Sequence, residues 1–256
     1  MRHHGKYLYL VSLISFYYIL FILSHISLAA NADDIMRKVV ENLNGETAIM
    51  EFSMVVKTAR AKRTMKMKSY SRGQKKSFIR ILYPGKDKGI TFLKINNSMW
   101  QYVPRIEKTI KIPASMMLQS WMGSDFTNDD LVKESSLDND YIPQLLAETE
   151  DEYIFQLLPK EDAAVVWGKI VMSVSKKYIL PGKVSYYDEN TVLVRELFYT
   201  DVKLMGNRFY PSRWHMIPKT VTKEGNETII IVSDAIFDVE LDEAYFSKRA
   251  LKRFSR

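Results

Sequence analysis

The sequence predicts a mainly β protein: a curved antiparallel sheet forming an unclosed β-barrel, with a few helices covering its concave apolar face. Three observations predict it. Alternating apolar and polar residues recur along the chain at the period of two that a strand with one buried face requires. Turn residues separate these runs at hairpin distances. Helical spacing or helix-start chemistry is confined to the stretches near 33–44, 113–131 and 242–252. A sheet this large has to curl to hide its apolar face, and the helices then plug or cover the concave side. A fully closed barrel is the structural rival.

The elements follow in order. Arg2 and Lys6 precede an almost wholly apolar run from Leu8 to Leu28, and Ala30-Asn31-Ala32 supplies an A-x-A-like cleavage site. Residues 1–32 are expected to be a Sec-type signal peptide and 33–256 a single domain. An uncleaved anchor is the alternative, because the run is long enough to span a bilayer. Behind the Asp33-Asp34 pair, Ile35, Met36, Val39, Val40 and Leu43 recur at helical intervals, and Gly45 ends that helix.

Strands come next. Residues 47–58 place Met50, Phe52, Met54 and Val56 on one face, 61–72 add Met65 and Met67, and 75–83 add Phe78. Residues 90–96 and 98–103 form a hairpin around Asn96-Asn97 that carries Trp100 and Tyr102. Residues 106–112 bring Ile110 and Ile112 and stop at Pro113. The alternation then breaks. A Met-rich segment holding Met116, Met117 and Trp121 leads to Thr127-x-x-Asp130, a capping-box pattern before a short helix. Strand patterns return at 143–149, 152–159, 167–175, 178–188, 191–204, 207–217 and 227–239. Turns are expected at Pro181-Gly182, Asp188-Glu189-Asn190, Gly206-Asn207 and Gly225-Asn226. A helix over 242–252 closes the chain, and the whole amounts to about ten strands in consecutive hairpins.

Composition excludes several chemistries. There is no Cys, so disulfides and a lipid on an N-terminal Cys are both ruled out. Beyond residue 32 the one histidine is His215, which excludes a Cys–His pair and a multi-His metal site. No G-x-S-x-G elbow, Walker loop or dinucleotide glycine loop occurs. Asp125, Asn128, Asp129 and Asp130 lack EF-hand spacing and read better as a helix cap than as a Ca²⁺ site. The chain is therefore expected not to be an enzyme and to need no cofactor or metal.

Charge is strongly segregated. Residues 52–86 hold eleven Lys/Arg and no acid, whereas 125–162 hold twelve Asp/Glu against Lys133 and Lys160. Such surfaces steer partners or anionic headgroups. Export argues against nucleic acid. The feature left over is apolar and adaptable: a chain with 13 Met, a residue suited to variable apolar partners.

One long string then resembles a known family. YVPRIEKTIKIPASMMLQSWMGSDFTNDDL at 102–131, supported by LYPGKDKG at 82–89 and by the order of elements, is similar to LolA-like outer-membrane lipoprotein-sorting proteins. The resemblance implies an unclosed barrel with a helical lid over an apolar cavity. It also implies a periplasmic carrier of lipoprotein or lipid acyl chains, served by an inner-membrane transporter. The acceptor in that system is a lipoprotein, so this Cys-free chain matches the soluble carrier. No functional arginine transfers by local motif. The expected cavity is lined by Phe52, Met54, Val56, Met65, Met67, Phe78, Trp100, Tyr102, Ile110 and Ile112, with Met116, Met117 and Trp121 on the lid, and the protein is expected to be a monomer. The alternative is a periplasmic accessory subunit of an RND/MMPL- or ABC-type exporter, acting by protein–protein contact.

Overall fold

The computed structural model describes residues 32–133 and 137–255; residues 1–31 of the expected signal peptide lie outside the described residues. Helix α1 (32–44) opens this part of the chain. It buries Ile35, Met36, Val39 and Val40, the stripe that the helical spacing predicts. Gly45 stops it in the left-handed region, at φ +63°, and its N–H returns to the carbonyl of Glu41. A side chain there would be strained and would strike the Asp238 carboxylate, 2.7 Å from a Cβ.

Six strands follow: β1 (Thr47–Lys57), β2 (Lys62–Arg72), β3 (Lys76–Tyr83), β4 (Thr91–Ile95), β5 (Ser98–Val103) and β6 (Lys108–Lys111). Short 3₁₀ turns and two small helices, α2 (Asn128–Lys133) and α3 (Leu137–Asp140), occupy the middle. Seven strands complete the sheet: β7 (Tyr141–Glu148), β8 (Glu152–Pro159), β9 (Lys169–Ser175), β10 (Leu180–Tyr187), β11 (Leu193–Met205), β12 (Arg208–Pro218) and β13 (Glu227–Phe237). Helix α4 (Lys248–Arg253) ends the described fold. The sheet has 13 strands rather than about ten. Every strand-like run, down to the four-residue β6, takes a place in the ladder.

The order across the sheet is β6-β5-β4-β3-β2-β1-β13-β12-β11-β10-β9-β8-β7. All pairings in it are antiparallel, and β1 pairs with β13. Sequence neighbours therefore pair throughout except β6 and β7, whose ladder is the one that would close a barrel. The sheet is unclosed, as the sequence predicts. Its gap falls where the alternating pattern breaks. The edges are guarded, by Lys108 and Lys111 on β6 and by Pro143 on β7.

One turn expectation is corrected. Pro181-Gly182 lies inside β10, where the register against β9 shifts between Pro181 and Val184. Gly182 is needed because a Cβ there would sit 2.8 Å from Ser173 Oγ. The pair makes a bulge, and the reversal itself occupies 176–179.

Both faces of the sheet carry apolar clusters. The concave cluster joins α1 to Met54, Met65, Met67, Phe155, Leu157, Ile170, Leu197 and Ile230. The convex cluster is smaller: Phe78, Leu93 and Tyr102 beneath Ala250 and Leu251 of α4. Tyr245 stacks on Tyr70 at 3.9 Å between ring centroids and on Phe254 at 4.5 Å. Leu251 is completely buried, whereas Leu204 on β11 is 66% exposed. Leu251→Ala is expected to lower unfolding free energy by about 2–5 kcal/mol, and Leu204→Ala by less than about 0.5 kcal/mol. Equal urea midpoints for the two variants would show that the convex cluster does not hold α4.

Candidate ligand cavity and its cover

The segment between β6 and β7 is built to cross the gap. Pro113 ends the strand pattern, since it has no N–H for a ladder. A 3₁₀ turn follows at Ala114–Met116, and a second at Trp121–Gly123. Ser120 and Thr127 form an isolated bridge, so 120–127 is a small closed loop. Helix α2 starts with the predicted capping box: Thr127 N–H donates to Asp130 Oδ2 at 2.7 Å, and Asp130 N–H donates to Thr127 Oγ1 at 3.2 Å.

Polar contacts from three strands hold this cover down. Arg195 on β11 donates from Nη1 and Nη2 to the two carboxylate oxygens of Asp130, at 2.7 and 2.5 Å. Both side chains are buried. The guanidinium also lies over Trp167 and Tyr186, 4.4 and 4.5 Å from their ring centroids. The Thr228 hydroxyl on β13 donates to Asp125 Oδ2 at 2.8 Å and accepts from the Asp125 N–H at 3.0 Å. Lys223 reaches the other Asp125 oxygen at 3.3 Å. Arg63 on β2 donates to the carbonyl of Met122. Two carboxylates of the acidic turn are thus taken up by cations and a helix cap.

Beneath the cover lies a cavity of about 230 Å³. Its walls come from the end of α1 (Leu43, Asn44), from β1 to β4, and from β11 to β13, where Tyr199, Tyr210, Trp214, Ile230 and Val232 face it. Trp121, Phe126 and Leu131 close it from the cover. Trp121 stands edge-on to Phe92, with ring centroids 5.5 Å apart. The lining is mostly apolar, with a polar end at Ser71, Gly73, Gln74 and Ser77 around the β2–β3 turn.

The expected lining residues divide into groups. Phe52 and Trp121 line this cavity. Met54, Val56, Met65, Met67 and Ile112 share the concave face but are buried in the core around it, with Met117 packed against them. Met116 and Ile110 are exposed, the latter on the edge strand. Phe78, Trp100 and Tyr102 belong to the convex face, under or beside α4. Their placement corrects the expectation of one shared face. Phe78 pairs with Tyr70 and Leu93, and Leu93 pairs with Trp100, so all four point away from Met67 and Ile79. Strands β3 to β5 are apolar on both faces, which removes the alternation that would assign a side. Sequence reasoning missed the wall from β11 to β13, although the aromatic spacing Tyr210–Trp214 was visible. His215 lies on the opposite face from Trp214, 2.7 Å from Glu227 and away from the cavity.

A family model described as uncharacterized protein-like matches residues 73–253, and the chain belongs to that family. No curated relative matches it in sequence. Solved structures do match in three dimensions. A DUF1329 family protein from Desulfovibrio piger superposes with a TM-score of 0.79 at 24% identity, over 88% of this chain and 99% of that one. An outer-membrane lipoprotein-sorting protein domain from Vibrio parahaemolyticus gives 0.75 at 23%, over 88% and 100%. A LolA superfamily protein from Nitrosomonas europaea gives 0.71 at 20%, over 86% and 98%. The fold is LolA-like. In this sheet the unpaired edges, the covering segment and the cavity occur together.

Two outcomes follow from the contacts. Arg195→Met leaves Asp130 buried without its cation and should cost about 3–5 kcal/mol. Adding Asp130→Asn, which keeps the cap, should recover a large part in chemical denaturation; no recovery would mean the pair does not couple. The second concerns Glu227, whose carboxyl is held below the usual range by hydrogen bonds from Lys57 and then His215, against a smaller opposing effect of burial. Its folded value is depressed, so its stabilisation is present at neutral pH and is lost as pH falls through that value. Glu227→Gln should flatten the acid limb of the stability curve, and an unchanged limb would refute the assignment.

Proposed function

We propose that the protein is a non-enzymatic periplasmic carrier that holds acyl chains of lipoproteins or lipids in the cavity under the 113–132 cover. The observation that carries this reading is an apolar cavity inside an unclosed sheet, roofed by a segment attached through a few polar contacts. The Vibrio parahaemolyticus neighbour, described as lipoprotein-sorting, supports it. So does the leader-like stretch before residue 33.

Binding is driven by burial of methylenes, at about 0.8 kcal/mol each. The cavity as it stands, about 230 Å³, is smaller than the ~300 Å³ at which drug-sized pockets begin. It accepts part of one chain, and more requires the cover to lift. Lifting breaks the Arg195–Asp130, Thr228–Asp125 and Arg63–Met122 contacts, so these set how readily cargo enters and leaves. An inner-membrane transporter delivers the cargo and an outer-membrane acceptor removes it.

Native mass spectrometry of the protein isolated from periplasm should show a co-purifying lipid or acylated species. Leu43→Trp, which fills the cavity from α1, should reduce uptake of an acyl probe at least several-fold while the fold survives. A ligand-free spectrum together with no probe uptake by the unaltered protein would rule the carrier reading out.

A further inference from the structure

Positive charge gathers at one end of the β1–β6 half of the sheet. The register places the turns of that end together. Lys66 on β2 pairs with Tyr83 at the end of β3, Thr91 at the start of β4 pairs with Tyr102, and Val103 pairs with Lys108 at the start of β6. The β3–β4 turn (84–90) and the β5–β6 turn (104–107) therefore emerge side by side. They touch: a Cβ on Gly89 would stand 3.3 Å from Pro104 Cγ and would strike the Ser255 carbonyl oxygen. Gly89, at φ +84°, is what lets both turns and the end of the chain meet there. The β3–β4 turn is tied further by the N–H groups of Asp87 and Lys88, which donate to the Pro84 carbonyl, and by the Gly89 N–H, which donates to the Ile81 carbonyl.

These turns and the strand ends beside them carry Lys66, Lys86, Lys88, Arg105 and Lys108, all exposed. Among the described residues none of these cations makes an ion pair, whereas Lys68 and Lys76 on the same strands are taken by Glu51 and Glu243. The acids of the same stretches are Glu107 and Asp87, and Asp87 keeps one carboxylate oxygen buried. Large apolar side chains stand out between the cations. Tyr83 is 52% exposed and Ile106 53%. Ile110 follows on the unpaired β6 edge, and Met116 and Leu118 on the outside of the cover, all exposed. Protein–protein interfaces deplete lysine and gather their apolar residues into one core. Here the apolar residues are single, sit at turn tips and are spaced by cations, which suits a layer of lipid headgroups. Tyrosine, apolar in body and polar at its tip, suits the boundary of that layer.

We propose that the end of the sheet formed by the 84–90 and 104–107 turns is a docking surface for an anionic lipid bilayer, with Tyr83 and Ile106 at the headgroup boundary and the cations against the lipid phosphates. Charge complementarity chooses this occupant. Attraction to an anionic leaflet falls off within a Debye length, and turn tips bring the charges that close. Docking in this way sets the unpaired β6 edge and the start of the cover beside the membrane. The inference goes beyond the carrier reading and does not depend on the cavity being filled.

Vesicle flotation checks this, using vesicles of phosphatidylcholine alone or in a roughly three-to-one mixture with phosphatidylglycerol. The protein as isolated is expected to bind the mixed vesicles at least about tenfold more tightly, and less tightly as salt rises. Lys86→Gln, Lys88→Gln and Arg105→Gln together should abolish most of that preference and leave the thermal midpoint unchanged. Ile106→Ser should weaken binding to the mixed vesicles at least several-fold. A control variant, Lys38→Gln with Lys177→Gln and Lys203→Gln, removes as much charge from other exposed positions and should keep the preference. All variants share the same N-terminus, so the differences report on this surface. Equal binding to both kinds of vesicle, no binding to either, or an equal loss in the control variant overturns the docking surface. Polyglutamate stands in for an acidic protein: its capture without capture of the mixed vesicles assigns the surface to a protein partner and overturns the lipid assignment. Acyl-probe uptake is read separately, so the carrier reading stands or falls on its own.

Discussion

The ladder that β6 and β7 do not make governs the architecture. A meander whose first and last strands pair can close only at its middle, and here the middle is the one break in the order. Residues 113–133 and 137–140, among the described residues, occupy it. They supply no strand to bridge the gap, because Pro113 and two 3₁₀ turns interrupt the extended backbone. The unpaired edges would otherwise invite another chain, and lysines on β6 and Pro143 on β7 discourage that. An open sheet with guarded edges keeps an interior that a closed barrel of packed side chains would fill.

The two faces are stabilised by different means. The convex face is sealed by apolar and aromatic contact with α4, a local arrangement made by the end of the chain. The concave face is sealed by α1 in its depth and by the cover at its mouth, and the cover is fastened largely through polar contacts. A buried pair such as Arg195–Asp130 adds little net stability compared with apolar groups of the same shape, but it has one satisfactory geometry. It therefore fixes where the cover sits more than how tightly it sits.

Much of this is legible in the sequence, and the illegible parts have identifiable reasons. The period of two in Met65 and Met67 and the helical stripe of α1 name their buried faces outright. The capping box at Thr127 locates α2. Phe78, Trp100 and Tyr102 could not be assigned a side, because α4 makes the convex face apolar too and erases the contrast between faces. Arg195 and Asp130 are 65 residues apart, and no local pattern joins them. Pro181-Gly182 reads as a turn because a bulge and a turn recruit the same residues.

An interior sealed by apolar contact alone would favour any greasy occupant in proportion to its area, and a bulky cover would compete with the cargo for the same walls. Fastening the cover through Asp125, Asp130 and the Met122 carbonyl moves its attachment to the sheet positions Thr228, Arg195 and Arg63. Most of the apolar wall is then left to Trp121, Phe126 and Leu131 on one side and to an occupant on the other. The cover can lift by exchanging a few hydrogen bonds for water, a step with small net cost per bond. On the carrier reading, an occupant is held meanwhile by burial of its methylenes along Met50, Phe52 and Ile79. Opening and holding are thus assigned to different residues, so either can change without the other.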